Sequence, residues 1–138
     1  MRYMAIDLGQ KRTGVAVGDD VTGLATPVEV ITTASEDERL HRLGKLIEEH
    51  GPAALVVGLP LNMDGTAGPA AKRVQQFAER LGKRFALPVH AFDERLSSDT
   101  ANQQMAMSGL THRQKKARRD ALAAAVILRD FLASRAGG

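Results

Sequence analysis

The sequence predicts an α/β fold, a mixed five-stranded sheet flanked by helices, and two observations support that class. Three apolar segments follow one another closely near the start, at residues 2–8, 15–18 and 25–32, with turn formers between them. Further along, apolar strands alternate with amphipathic helices. Closely spaced strands favour antiparallel hairpins, whereas strands separated by helices favour parallel pairing. We therefore expect antiparallel strands first and parallel strands afterwards.

A helix is predicted after the third strand. Ser35 and Glu38 have the spacing of a capping box, in which two side chains satisfy free backbone amides at a helix start. The apolar face that follows has helical spacing and consists of Leu40, Leu43, Leu46 and Ile47. The His-Gly-Pro sequence at residues 50–52 is a typical helix end.

The second half of the chain continues this alternation. Residues 53–59 form a continuous apolar run, which is typical of a buried parallel strand. We then predict a loop at 62–69, a helix up to Phe85 and a fifth strand at 89–92. A short helix from Ser97 or Ser98 to about Met107 and a last helix from about Gln114 to Ser134 complete the order βββαβαβαα. Neither a repeat nor a linker interrupts it, so one domain, 1–138, is predicted.

Composition excludes several classes of protein. The chain contains no cysteine, which excludes disulfides, iron–sulfur clusters and cysteine-based zinc sites. No apolar run approaches the roughly 20 residues that span a bilayer. Because a charged residue appears too early for a signal peptide, we expect a cytoplasmic protein without a membrane partner.

One segment is strongly basic, although the net charge of +3 is itself a weak indication of nucleic-acid binding. Residues 113–119 contain five Lys or Arg side chains in seven positions. The dipole of a helix N-terminus disfavours cations, which favours contact with a polyanion over a merely solvated helix start. No aromatic residue lies in this segment, so base stacking is not expected to dominate binding.

Three carboxylates lie where an ionised group is costly, and each has an alternative structural explanation. Asp7 interrupts an apolar strand before the Gly-containing turn 9–14, and its carboxylate could accept hydrogen bonds from the amides of that turn. Glu94 ends the fifth strand, where ligands gather in open α/β sheets, but it could instead form a surface ion pair with Arg95. The neighbouring Asp93 could take its place as a ligand.

Asp120 lies on the apolar stripe of the last helix, because Ala124, Ile127 and Phe131 follow it at helical spacing. A structural pairing with Lys116 at i−4 is the alternative. If the three acids converge, hard oxygen ligands without a paired histidine site select one or two Mg²⁺ or Mn²⁺ ions. Two such ions can assist phosphodiester cleavage.

Four spaced motifs resemble those of the YqgF/RuvX family. Residues 7–16 are similar to its opening motif, and 57–60 with the later 64–65 to its second. Residues 93–98 resemble the third motif, and 119–128 the last. The resemblance implies a ribonuclease H-like fold and a nuclease that matures the 5′ end of pre-16S rRNA, or a Holliday-junction resolvase. It also implies that Asp7, Glu94 and Asp120 are the catalytic metal ligands.

From these observations we expect RNA, rather than branched DNA, to be the substrate. Its backbone should contact the basic side chains Arg12, Lys115, Lys116, Arg118 and Arg119. Ribosome-assembly factors are possible partners of a monomer or homodimer. Three other functions stay open: a junction resolvase, which needs a symmetric dimer, a nucleotide-binding ATPase and a non-catalytic RNA-binding module.

Overall fold

The computed structural model describes the backbone of residues 1–96 and 112–136, and the side chains of residues 1–95 and 119–135. Five strands form one sheet in the order β3-β2-β1-β4-β5. The strands are β1 (Arg2–Leu8), β2 (Arg12–Asp19), β3 (Ala25–Thr32), β4 (Ala54–Leu59) and β5 (Val89–Asp93). β1, β2 and β3 pair antiparallel, whereas β4 pairs parallel with both β1 and β5. The predicted mixed sheet is therefore confirmed.

Three helices are described: α1 (Glu36–His50), α2 (Pro69–Phe85) and α3 (His112–Ala136). A 3-10 turn, Glu94–Leu96, directly follows β5. The short helix predicted from Ser97 or Ser98 to Met107 lies outside the described residues. None of the described helices is both long enough and apolar enough to cross a bilayer.

Strand β2 begins three residues earlier than the sequence pattern predicted. Thr13 and Gly14 were expected in a turn, yet they pair with β1 and are buried. The Thr13 hydroxyl accepts a hydrogen bond from Nε of Arg39 at 2.9 Å, which satisfies a polar group that has no exposure. Gly14 has no side chain, so its burial leaves no mark in the apolar pattern of the sequence. Neither residue therefore gives the apolar signal on which strand prediction depends.

The predicted capping box at the start of α1 is half formed. The Ser35 hydroxyl accepts a hydrogen bond from the amide of Glu38 at 3.3 Å. The Glu38 carboxylate accepts instead from the hydroxyl of Thr33 at 2.8 Å. Glu38 thus ties the helix to the end of β3, and the helix starts where the capping signal indicated.

The two faces of the sheet carry separate cores. Tyr3 and Ala5 on β1 pack with α3, whereas Met4 and Ile6 pack in a second cluster with α1 and α2. Because side chains alternate along a strand, Asp7 belongs to the α3 face. The same alternation places Leu8 on the α1 and α2 face, where it packs against the second cluster.

Candidate active site

Asp7 lies near the carboxyl end of the central strand with a glycine beside it on each neighbouring strand. On β2 its direct partner is Gly14. On β4 the parallel register pairs Ile6 with Val57, so the next position, Gly58, lies beside Asp7. Both glycines leave space on the α3 face, and the other two predicted acids approach through that space.

Gly14 allows helix α3 to touch the sheet at Asp120. A Cβ atom at Gly14 would lie 1.9 Å from the backbone carbonyl oxygen of Asp120, so no other residue fits there without moving the helix. This close approach brings Asp120 near Asp7, and the negative charge of Asp120 raises the pKa of Asp7. The prediction that Asp120 points toward the protein agrees with this placement.

Gly58 makes room for the carboxylate of Glu94. A Cβ atom at Gly58 would lie 2.5 Å from Oε1 of Glu94 and 2.8 Å from Cδ1 of Ile127. Glu94 is the first residue of the 3-10 turn after β5, as expected for a residue at a strand end. Its side chain therefore lies over β4 toward Asp7, on the α3 face.

Asp7 and Glu94 form a hydrogen-bonded carboxyl pair, in which Glu94 is the donor and Asp7 the acceptor. The pKa of Asp7 is raised from 3.8 to about 6, chiefly by burial and then by the charge of Asp120, against the opposing effect of the hydrogen bond from Glu94. The pKa of Glu94 is likewise raised to about 7, chiefly by burial, then by the charge and hydrogen bond of Asp7, and last by the charge of Asp93. The pair shares a proton near neutral pH because two adjacent, half-buried carboxylates resist full ionisation.

Arg95 forms an ion pair with Asp93, and not with Glu94 as the alternative explanation of Glu94 required. The Arg95 guanidinium donates to Asp93, with Nη2 to Oδ2 at 2.7 Å. Hydrogen bonds from Arg95 hold the pKa of Asp93 below its usual value. Nη1 of Arg95 also donates to the carbonyl of Met63 at 3.2 Å. Arg95 thereby ties the turn that carries Glu94 to the loop after β4.

Only some of the side chains predicted to contact nucleic acid lie within the described residues. Arg12 and Arg119 are exposed. By strand alternation Arg12 lies on the same face of β2 as Gly14, which is the face of the acids. Lys115, Lys116 and Arg118 fall within the first turns of α3, but their side chains lie outside the described residues. The alternative pairing of Asp120 with Lys116 likewise falls outside them.

The chemistry of the three acids suits a hard divalent cation, although they are not arranged as a complete cage. Within residues 1–95 and 119–135, no set of three or more acidic or histidine side chains is already positioned to hold a metal ion. What the structure brings together is the Asp7–Glu94 pair with Asp120 acting on it as a charge. A cation held in place of the shared proton would offset both the desolvation cost and the mutual repulsion of these carboxylates.

The packing roles of two residues, Gly58 and Arg39, were not predicted from the sequence. Gly58 interrupts a buried strand, which is a recognised signal for close approach of another group. Arg39 on α1 is only 6% exposed, and Leu43 and Leu46 at +4 and +7 place it on the apolar stripe of that helix. Its contacts depend on the turn before β2, which the periodicity of α1 does not reveal.

The family model for RuvX, described as Holliday junction resolvase, matches residues 1–134. The chain belongs to the RuvX (YqgF) family. A relative from Anaeromyxobacter sp. (strain K), named "Putative pre-16S rRNA nuclease", is 42% identical over 136 residues and the match covers 99% of both chains. One of the same name from Chloroflexus aurantiacus (strain ATCC 29366) is 39% identical over 132 residues, covering 96% of this chain and 86% of that one.

A solved structure shares the fold of this RuvX-family chain. It is Thermus thermophilus RuvC in complex with a Holliday junction substrate, with a TM-score of 0.61 and 19% sequence identity. The similarity covers 99% of this chain and 96% of the RuvC chain. At this identity the likeness establishes the fold alone, and it confirms the predicted ribonuclease H-like class.

Proposed function

We propose that this chain is a metal-dependent nuclease that hydrolyses phosphodiester bonds, with Asp7, Glu94 and Asp120 as its catalytic acids. The observation that carries the proposal is the half-buried, proton-sharing pair of Asp7 and Glu94 beside the charge of Asp120. Such a cluster costs stability in the absence of a cation and is typical of functional sites. A single nuclease domain over residues 1–138 is part of this proposal.

The metal would be one or two Mg²⁺ or Mn²⁺ ions, held by the carboxylates of Asp7, Glu94 and Asp120. When bound, such ions lower the pKa of water and stabilise charge on the leaving oxygen of a phosphodiester. The chain's own contribution is to present three oxygen ligands from two strand ends and one helix. Gly14 and Gly58 allow these ligands to approach each other.

Basic side chains would hold the substrate across the acid cluster. Arg12 lies on the same sheet face as the acids, and Arg119 directly precedes Asp120. We propose that these two, with Lys115, Lys116 and Arg118, contact backbone phosphates. Phosphate contacts position a substrate but carry little sequence information. Selectivity would therefore come from RNA shape or from partner proteins such as ribosome-assembly factors.

The proposed substrate is pre-16S rRNA, by analogy with the names of the relatives, and its 5′ end is the part that the family resemblance implies. The test is cleavage of a labelled panel with Mn²⁺, Mg²⁺ or EDTA. The panel contains single-stranded RNA, a structured pre-16S rRNA fragment and a four-way DNA junction. Each is incubated with wild type, Asp7→Asn and the matched control Glu79→Gln, which removes an exposed carboxylate from α2. We expect metal-dependent cleavage of the rRNA fragment that Asp7→Asn abolishes and Glu79→Gln retains.

A resolvase is the second candidate, favoured by the description of the matching family model. It would require a symmetric dimer that places two acid clusters across the junction. Faster cleavage of the DNA junction by a dimer in solution would select this function. If the folded protein binds RNA but cleaves no member of the panel with either metal, the nuclease proposal fails in favour of a non-catalytic RNA-binding module.

A further inference from the structure

A cavity of about 520 Å³ opens on the opposite face of the sheet from the acid cluster, at the same end of β1. Leu8 and Gly9 line it, and Leu8 packs toward α1 and α2, whereas Asp7 faces α3. The two sites therefore lie on opposite faces of the sheet, separated by the thickness of one strand. The other walls come from the start of α1, the end of β4 and the first half of α2.

Arg39 contributes a buried positive charge to this cavity without a carboxylate partner. Its guanidinium donates to Oγ1 of Thr13 at 2.9 Å and to the carbonyls of Gln10 at 2.9 Å and Thr33 at 3.0 Å. All of these acceptors are neutral, and no described carboxylate lies within ion-pair distance. No described atom accepts from its Nη1. A buried unpaired cation is costly, and an anion in the cavity would offset that cost.

Two further cationic side chains at the cavity are available to bind an anionic ligand. Lys11 and Arg73 line it, are exposed, and form neither an ion pair nor a side-chain hydrogen bond with any described residue. Arg80 also lines the cavity but is ion-paired with Glu36. Four cationic side chains therefore line the cavity against one carboxylate, and this composition favours an anionic ligand.

The remaining lining is apolar or amide-bearing, which narrows the chemistry of that ligand. Val74, Phe77 and Pro60 provide apolar surface, while Gln10 and Gln76 provide amide groups. The volume lies within the roughly 300–1,000 Å³ that is common for small-ligand pockets. A cationic rim beside an apolar wall with amide groups suits a phosphate joined to a sugar and base.

We propose that this cavity binds one nucleotide unit of the substrate strand, adjacent to the part of the strand that is cleaved. The proposal rests on the nuclease function, because Gly9 lines the cavity and lies only two residues beyond Asp7. A strand that crosses the carboxyl end of β1 would place one phosphate at the acids and another at Lys11 and Arg73. The site would increase affinity and fix the strand's path without taking part in chemistry.

The test uses Arg73→Gln and Lys11→Gln in the full chain, with Lys83→Gln as the control. Lys83 is an exposed cation on α2 that does not line the cavity and has no partner among the described residues. We expect each cavity variant to bind single-stranded RNA roughly tenfold more weakly, as for loss of a hydrogen bond to a charged group. The slope of log affinity against log salt should fall by about 0.7 per lost phosphate contact. KM should rise while kcat stays unchanged.

Competition between RNA and a free nucleoside 5′-monophosphate is the second part of the test. The monophosphate should compete with RNA for the wild type and compete much less for Arg73→Gln. Equal effects of Arg73→Gln and Lys83→Gln would overturn the cavity proposal, while cleavage by the wild type would leave the nuclease function standing. If the monophosphate requires Arg73 but RNA affinity does not, the cavity is a free-nucleotide site and the proposal of a strand subsite is wrong. If RNA affinity requires Lys11 and Arg73 but the wild type cleaves nothing, the subsite stands as a binding site and the nuclease function fails.

Discussion

Replacing Asp7 with asparagine should stabilise the metal-free protein at alkaline pH while abolishing its activity. Burial and the charge of Asp120 raise the pKa of Asp7 from 3.8 to about 6. A carboxyl whose pKa is raised by folding contributes stability below its unfolded pKa, and that contribution is lost as pH rises through its folded pKa. At about 1.4 kcal/mol per pKa unit, the wild type loses roughly 3 kcal/mol from this group by pH 8. The asparagine side chain cannot ionise, so the variant avoids that loss.

The assay is urea unfolding in EDTA at pH 4, 6 and 8 for wild type, Asp7→Asn and Glu79→Gln. The free energy of unfolding of Asp7→Asn, relative to wild type, should rise by about 2–3 kcal/mol between pH 4 and pH 8. With urea slopes of about 1–3 kcal/mol/M, the relative midpoint should shift by about 1–2 M. The exposed Glu79 should show no such trend. A difference between Asp7→Asn and wild type that is constant with pH would refute the argument that ionising Asp7 is costly in the fold.

Divalent cations should cancel most of this difference in stability. An ion that binds only the folded wild type adds about 2.7 kcal/mol when present at 100 times its dissociation constant. Mn²⁺ or Mg²⁺ should therefore raise the unfolding midpoint of wild type and Glu79→Gln at pH 8, but raise that of Asp7→Asn much less. Equal stabilisation of all three proteins would place metal binding away from Asp7.

Three further substitutions separate structural from catalytic effects. Gly14→Ala should destabilise the protein by at least about 1–3 kcal/mol, measured by urea unfolding, because its Cβ meets the backbone of Asp120 rather than a side chain. Gly58→Ala should cost only about 1 kcal/mol of stability, since the side-chain ends of Glu94 and Ile127 can move. Its kcat should nevertheless fall sharply, because the new methyl group displaces Glu94. Unchanged cleavage would contradict that placement of Glu94. Asp120→Asn should abolish cleavage but leave RNA affinity, measured by fluorescence anisotropy, within about twofold, a limit of roughly 0.4 kcal/mol; equal loss of both would indicate a substrate-binding role.

Much of the fold could be predicted because strand spacing and apolar periodicity are local properties of the chain. The early strands 2–8 and 25–32 and the buried run 53–59 gave the mixed sheet, and the stripe on α3 correctly placed Asp120 toward the protein. The start of β2 was missed because Thr13 and Gly14 are buried without an apolar side chain. Their burial depends on Arg39 and on α3, which are distant in sequence. The roles of the acids, the cation and the predicted cytoplasmic location stay predictions.

The choice between Asp93 and Glu94 shows where sequence reasoning ends. Both are acids at the same strand end, and adjacent side chains there diverge. One local and one distant contact separate them: Arg95, two residues on, forms an ion pair with Asp93 and also bonds the loop at Met63, whereas Gly58 leaves space for Glu94 over β4. The ion pair keeps Asp93 ionised, whereas Glu94 is left to share a proton with Asp7. A divalent cation gains most from carboxylates that lack a cationic partner in the protein, which is why we propose Glu94 rather than Asp93 as the ligand.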